Sequence, residues 1–175
     1  GFTALSETMS TKEMANFLGS FRLRVMDSVV NNGGLIDKFI GDGALAIFGL
    51  QSDAREAAHQ ALAAGSELQA KIATWNKGRE ESGKAAVRIA IAAHAGSAVV
   101  GAIGDERRLE FTAIGNTVNL AARLEEIAKQ RDIDFLVSGT VADHVDGGIA
   151  LNAVGQEVVR GSAEEIALFS VISKA

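Results

Sequence analysis

Asp42 stands between two glycines in the stretch Gly41-Asp42-Gly43, which frees the backbone for a turn and leaves the carboxylate uncrowded. A hard oxygen in that setting suits magnesium, which takes one or two carboxylates together with substrate phosphates. An ordinary Asp-Gly hairpin turn accounts for the same residues without any ligand. Lys38 lies four residues earlier. On a strand, side chains alternate, so Lys38 is expected to share a face with Ile36 and Ile40 and to point away from Asp37 and Phe39. It is either a donor aimed at a ligand's acceptor atom or a lysine whose stem runs over an apolar edge to water. Asn119 and Arg123, four apart, project from one helix face. An amide beside a forked guanidinium suits a phosphoryl oxygen, and a solvated helix face is the plainer explanation. Arg107 and Arg108 form either a phosphate clamp or a charged loop.

These side chains need elements to hold them. From Thr11 to Asn31 the apolar residues Met14, Phe17, Leu18, Phe21, Val25, Met26 and Val29 recur at helical spacing, and Asn-Asn-Gly-Gly ends the run. Ser10-Thr11-Lys12-Glu13 reads as a capping box at its start. Two short apolar strands follow, Leu35 to Ile40 and Ala44 to Phe48, joined by a tight turn that puts Asp42 at the tip of a hairpin. A long alanine-rich helix is predicted from about Asp53 to Trp75, then strands at "VRIAIAAHAG", "AVVGAIG" and "LEFTAIG". "NTVNLAARLEEIAKQ" is a helix whose buried stripe is Leu120, Leu124, Ile127 and Ala128, with Asn119, Arg123, Glu126 and Gln130 on the polar side. "DFLVSG" is a further strand. Ala150 to Val154, Glu157 to Arg160 and Ala167 to Ile172 read as three antiparallel strands. With a strand restored before Gly1, the order is an α+β fold, a ferredoxin-like βαββαβ core with a C-terminal β extension and a truncated first strand.

Composition narrows the function. A chain of 175 residues, 47% of them hydrophobic, is one domain (residues 1–175) able to bury its own core. A net charge of −5 argues against a general nucleic-acid or anionic-membrane binder, so any phosphate is held locally. There is no cysteine, hence neither a disulfide framework nor a thiolate metal site, and a cytoplasmic location is expected. No apolar run is long enough to span a bilayer; a membrane anchor elsewhere in a parent protein stays compatible. Two apparent motifs are set aside. Gly78 to Ala85, "GREESGKA", nearly fits a phosphate loop but has Ala85 in place of the metal-binding hydroxyl and lies between a helix and a strand, the reverse of the required context. His94 has no second His or Cys at metal spacing and reads as a packed strand histidine.

Taken in order, "GFTALSE", "DKFIGDG", "HAGSAVVGAIG" and "FTAIGNTVNLAARLE" resemble the class III nucleotidyl cyclase catalytic domain over almost the whole chain. "GNTVNLAARLE" is the most specific of the four. The resemblance implies that an aspartate just upstream of Gly1 and Asp42 hold a pair of magnesium or manganese ions, two per site. It implies that backbone amides around Phe2 and Thr3 cradle the β- and γ-phosphates, that Lys38 and Thr112 select the purine, and that Asn119 orients the ribose. Arg123 would be the transition-state phosphate ligand. Arg108, or less strongly Arg107, resembles a further phosphate contact, and Arg160 stands near a frequent basic position. The implied reaction joins the ribose 3′-oxygen to the α-phosphorus and expels pyrophosphate. The family's metal ligands and its purine and Arg/Asn residues come from opposite subunits, so a homodimer with composite sites is expected. ATP and a regulatory or sensor domain upstream complete the expected partners; nucleic acid is not among them.

Lys38 and Thr112 favour adenine: lysine only donates, whereas a hydroxyl can accept from the exocyclic amine. The competing expectations are a catalytically silent dimerisation or nucleotide-sensing relative, a guanylate cyclase, and a ferredoxin-like RNA binder. The acidic balance and the lack of stacking aromatics count against the last. A chain that starts at Gly1 is expected to be weakly active or inactive.

Overall fold

The computed structural model describes residues 9–146, 148–158 and 165–172; Phe2, Thr3 and Arg160 lie outside them. Helix α1, Thr11–Asn31, starts where its cap is written. The Ser10 hydroxyl accepts from the Glu13 backbone N–H at 3.4 Å, and the Glu13 carboxylate accepts from the Ser10 N–H at 2.9 Å. Two donors that the first turn would otherwise leave unpaired are thereby satisfied. At the far end Gly33 takes a positive φ of 76° and the Gly34 N–H returns to the Val29 carbonyl. Gly34 has a packing reason as well: a Cβ there would sit 2.4 Å from the Phe48 ring.

The hairpin is β1, Leu35–Ile40, and β2, Gly43–Ile47. Its inner face packs with Phe21, Val25 and Val29 of α1 and with Ile72 of α2, Ala54–Glu81. Helix α2 runs past the expected end at Trp75 because tertiary contacts hold its last turn. The Arg79 guanidinium lies over the rings of Phe17 and Trp75, each 5.2 Å away, and its Nε donates to the Ala85 carbonyl. The first half of "GREESGKA" is therefore helix, and its second half leads out through a turn.

Strand β3, Ile91–Ala93, is shorter than "VRIAIAAHAG" promised. Its pairing among the described residues is a parallel ladder to β6, Phe135–Ser138, and covers only those three positions. Between them come the β4–β5 ribbon, Val99–Asp105 with Arg108–Ile114, and helix α3, Asn116–Gln130. A single-turn helix α4, Gly139–Ala142, follows β6. Among the described residues the tail forms two strands where three were expected, β7 at Leu151–Val158 and β8 at Glu165–Val171. A register irregularity between Ala153 and Gly155 lets β7 continue through what the sequence reads as a break.

The main sheet has the order β3-β6-β8-β7, with the wholly buried β6 inside it. Leu120, Leu124, Ile127 and Ala128 of α3 cover one face, meeting Leu136 and Leu168. Ala58 and Leu62 of α2 and Val141 of α4 cover the other, meeting Phe135 and Val137. Gly65 permits the closest approach of α2, since a Cβ there would lie 2.3 Å from the Phe135 ring. The architecture is α+β, as expected.

Candidate active site

The hairpin tip carries Asp42. Gly41 takes a φ of +60°, a conformation that glycine adopts without strain, and Asp42 is exposed. The turn is braced from behind: Nη2 of Arg22, on α1, donates to the Gly41 carbonyl at 3.2 Å, and its guanidinium lies 4.9 Å over the Phe39 ring. Asp42 engages no other side chain among the described residues. No group of three or more His, Cys, Asp or Glu side chains suited to a metal occurs among them either. One uncrowded carboxylate fits a divalent cation whose remaining ligands are phosphate oxygens and a further carboxylate.

Strand β1 departs from simple alternation. Its register shifts between Ile36 and Lys38, so Ile36 and Phe39 both pack in the hairpin core. Lys38 therefore does not share a face with Ile36, contrary to expectation; the extra residue, Asp37, breaks the period of two. The Asp37 side chain is fully buried, and its Oδ2 lies 3.6 Å from Lys38 Nζ. The same oxygen accepts a hydrogen bond from the Thr112 hydroxyl of β5 at 3.0 Å. Lys38 and Thr112, far apart in sequence, thus meet around one carboxylate. Thr112 is itself buried, while the Lys38 side chain is 39% exposed, leaving its ammonium within reach of a ligand.

Helix α3 follows Thr112's strand almost directly, entered through Gly115 with a φ of 143°. The Thr117 hydroxyl anchors the first turn to the Ser97 carbonyl at 2.6 Å. Asn119 is exposed and Arg123 is half-buried, each one residue before a leucine of the buried stripe and so on the face that flanks it. Nη1 of Arg123 is buried without a hydrogen-bond partner among the described residues. A half-sunken guanidinium with an unused donor can receive an anionic oxygen.

Arg107 sits exposed in the two-residue connection between β4 and β5, its backbone N–H donating to Asp105 Oδ1 at 2.8 Å. Arg108 enters as the first residue of β5. His94 is not part of a strand, contrary to expectation: it follows the last residue of β3 and is half-buried, its Nδ1 2.9 Å from Ser138 Oγ, and desolvation lowers its pKa.

The structure thus joins Lys38 to Thr112 and carries Asn119 and Arg123 on the next helix. No direct hydrogen bond or ion pair ties Asp42 or Arg107 to that group among the described residues. Sequence reasoning missed Asp37 and Arg22. Asp37 had a signal, a carboxylate predicted on the same strand face as Phe39; Arg22 had none, because its role depends on a turn nineteen residues away.

The profile of the family described as "Adenylate and Guanylate cyclase catalytic domain" matches residues 1–172. The chain is 29% identical over 172 residues to "Adenylate cyclase 1" of Rhizobium meliloti, covering 98% of this chain and 26% of that protein. To "Adenylate cyclase" of Anabaena cylindrica it is 29% identical over 178 residues, covering 98% of this chain and 34% of that one. The chain therefore spans only about a quarter to a third of the length of these relatives. Among solved structures, the adenylyl cyclase CyaB from P. aeruginosa superposes with a TM-score of 0.87 at 26% identity, covering all of this chain and 90% of that one. The guanylyl cyclase Cya2 gives 0.82 at 25% identity, over 98% and 86%.

Proposed function

The chain belongs to the adenylate and guanylate cyclase catalytic-domain family, and we propose that it is an adenylate cyclase domain converting ATP to 3′,5′-cyclic AMP and pyrophosphate. The observation that carries this reading is the meeting of Lys38 and Thr112 around Asp37. Lys38 can only donate, and it meets the adenine N1 acceptor. The Thr112 oxygen accepts from the exocyclic amine. Guanine would bring its N1–H and amine donors to the lysine and leave them unpaired, an unfavourable contact of roughly 1–3 kcal/mol.

Asn119 orients the ribose. As the 3′-oxygen bonds to the α-phosphorus, the bond from that phosphorus to the bridging oxygen breaks and pyrophosphate departs. Arg123 then donates to the α-phosphoryl oxygens as their charge grows. Phe2 and Thr3 backbone amides, Arg107, Arg108 and Arg160 are proposed phosphate contacts of lesser weight. Asp42 would hold magnesium or manganese, whose charge would favour loss of the 3′-hydroxyl proton and neutralise the leaving group. The exposed apolar side chains of the β4–β5 ribbon, Val99, Leu109, Phe111 and Ile114, support a homodimer in which each site draws residues from both copies. No helix among the described residues is long and apolar enough to cross a membrane.

The test is kcat/KM for ATP against GTP in the full-length protein. A preference for ATP of about ten- to hundredfold is expected, and a preference for GTP overturns the assignment. ATP binding without cyclic AMP formation would instead identify a silent, nucleotide-sensing domain.

A further inference from the structure

We infer that Asp37 is a positioning residue for purine choice: it fixes which way the Thr112 hydroxyl points and where the Lys38 ammonium sits. The inference rests on the adenine reading above and goes beyond it, because neither the sequence motifs nor the Lys38/Thr112 pair requires an acid at this position.

A threonine hydroxyl by itself is indifferent. It can donate to guanine O6 or accept from the adenine amine, and its proton rotates to suit. Asp37 removes that freedom. A carboxylate oxygen only accepts, so at 3.0 Å it commits the Thr112 proton to itself and leaves only the lone pairs of Oγ1 for a ligand. What remains at Thr112 is an acceptor, which answers an amino group and opposes a carbonyl. The same Oδ2, 3.6 Å from Lys38 Nζ, draws the ammonium to the same place, so donor and acceptor are presented side by side.

Burial gives this device its force. The Asp37 side chain has no exposure and Thr112 is 7% exposed, so water does not compete for the hydroxyl proton. Oδ1 of Asp37 is buried with no hydrogen-bond partner among the described residues. A half-satisfied buried acid is unfavourable for folding. The bulge at this point of β1 is what turns the acid toward β5.

The experiment measures kcat/KM for ATP and GTP in the full-length protein with Asp37→Leu and Asp37→Asn, each alone and combined with Thr112→Ala. Dissociation constants for 3′-deoxy-ATP and 3′-deoxy-GTP, which lack the attacking hydroxyl, are measured alongside. Asp37→Leu frees the Thr112 proton to meet guanine O6, and the ATP/GTP ratio is expected to fall about tenfold, in binding as well as turnover. Asp37→Asn should give a fall of about threefold, since an amide can present either end to the hydroxyl. In the Thr112→Ala background either change should move the ratio by clearly less, only the part exerted through Lys38 remaining, whereas a merely structural acid would give the same shift in both backgrounds. A ratio unchanged in Asp37→Leu, or a shift of the same size with and without Thr112, overturns the inference. If the leucine variant does not fold, an unchanged ratio in Asp37→Asn overturns it. Failure of the adenine reading is seen separately, as a GTP preference of the unmodified protein.

Discussion

Replacing Arg123 with methionine should separate catalysis from stability, moving the two in opposite directions. Arg123 lies one turn beyond Asn119 on α3, and its Nη1 is buried with no partner among the described residues. An unsatisfied buried donor is unfavourable by roughly 1–3 kcal/mol. The side chain as a whole is only half-buried, so the lower end of that range applies. Methionine keeps the apolar stem in place and removes the stranded donor. A gain of about 1 kcal/mol raises Tm by about 2–4 °C in a domain of this size.

The catalytic effect runs the other way. If the guanidinium meets charge only as it grows on the α-phosphoryl oxygens, its loss should lower kcat by about 10²–10³, the effect of removing one well-placed donor. KM should change little, because the contact is made in the transition state and not with bound ATP. The assays are chromatographic measurement of cyclic AMP at several ATP concentrations and calorimetric melting of the same preparations. A Tm lowered by more than a few degrees would mean that the guanidinium holds the fold together. A raised KM with unchanged kcat would mean that it binds ground-state substrate, and either result refutes the reasoning.

Asp42→Ala should abolish turnover and leave Tm within about 1 °C, since the carboxylate is exposed and surface changes of this kind are nearly neutral; retained turnover would remove Asp42 from the metal site. Mixing Asp42→Ala with Arg123→Met chains should restore activity through one composite site per heterodimer, and no rescue in verified heterodimers would mean self-sufficient chains. His94 gives a pH dependence of stability. Burial lowers its pKa in the folded protein, so the unfolded chain binds the proton more readily, and stability should fall as pH drops below about 6.5. His94→Asn should flatten melting temperature against pH in that range, and an unchanged slope would assign the dependence to other groups.

Local chemistry decided what the sequence could determine. Helices α1 and α3 run over the residues expected, because a 3.6-residue apolar period and the Ser10–Glu13 cap are properties of adjacent positions. The hairpin with Asp42 at its tip is equally local, a glycine-flanked turn between two short apolar runs. The order of the motifs was sufficient to point to the family, since motif order is written along the chain.

Contacts between distant segments decided the rest. Arg79 packing on Phe17 and Trp75 lengthens α2, and the short ladder to β6 limits β3. The bulge at Asp37 is invisible to a period-two pattern, which assumes that no residue is extra. It separates Lys38 from Ile36 and brings Asp37 against Thr112, 75 residues away. A sequence names the donors and acceptors in a site, but a hydroxyl's direction depends on its nearest buried neighbour, and only the tertiary fold supplies that neighbour.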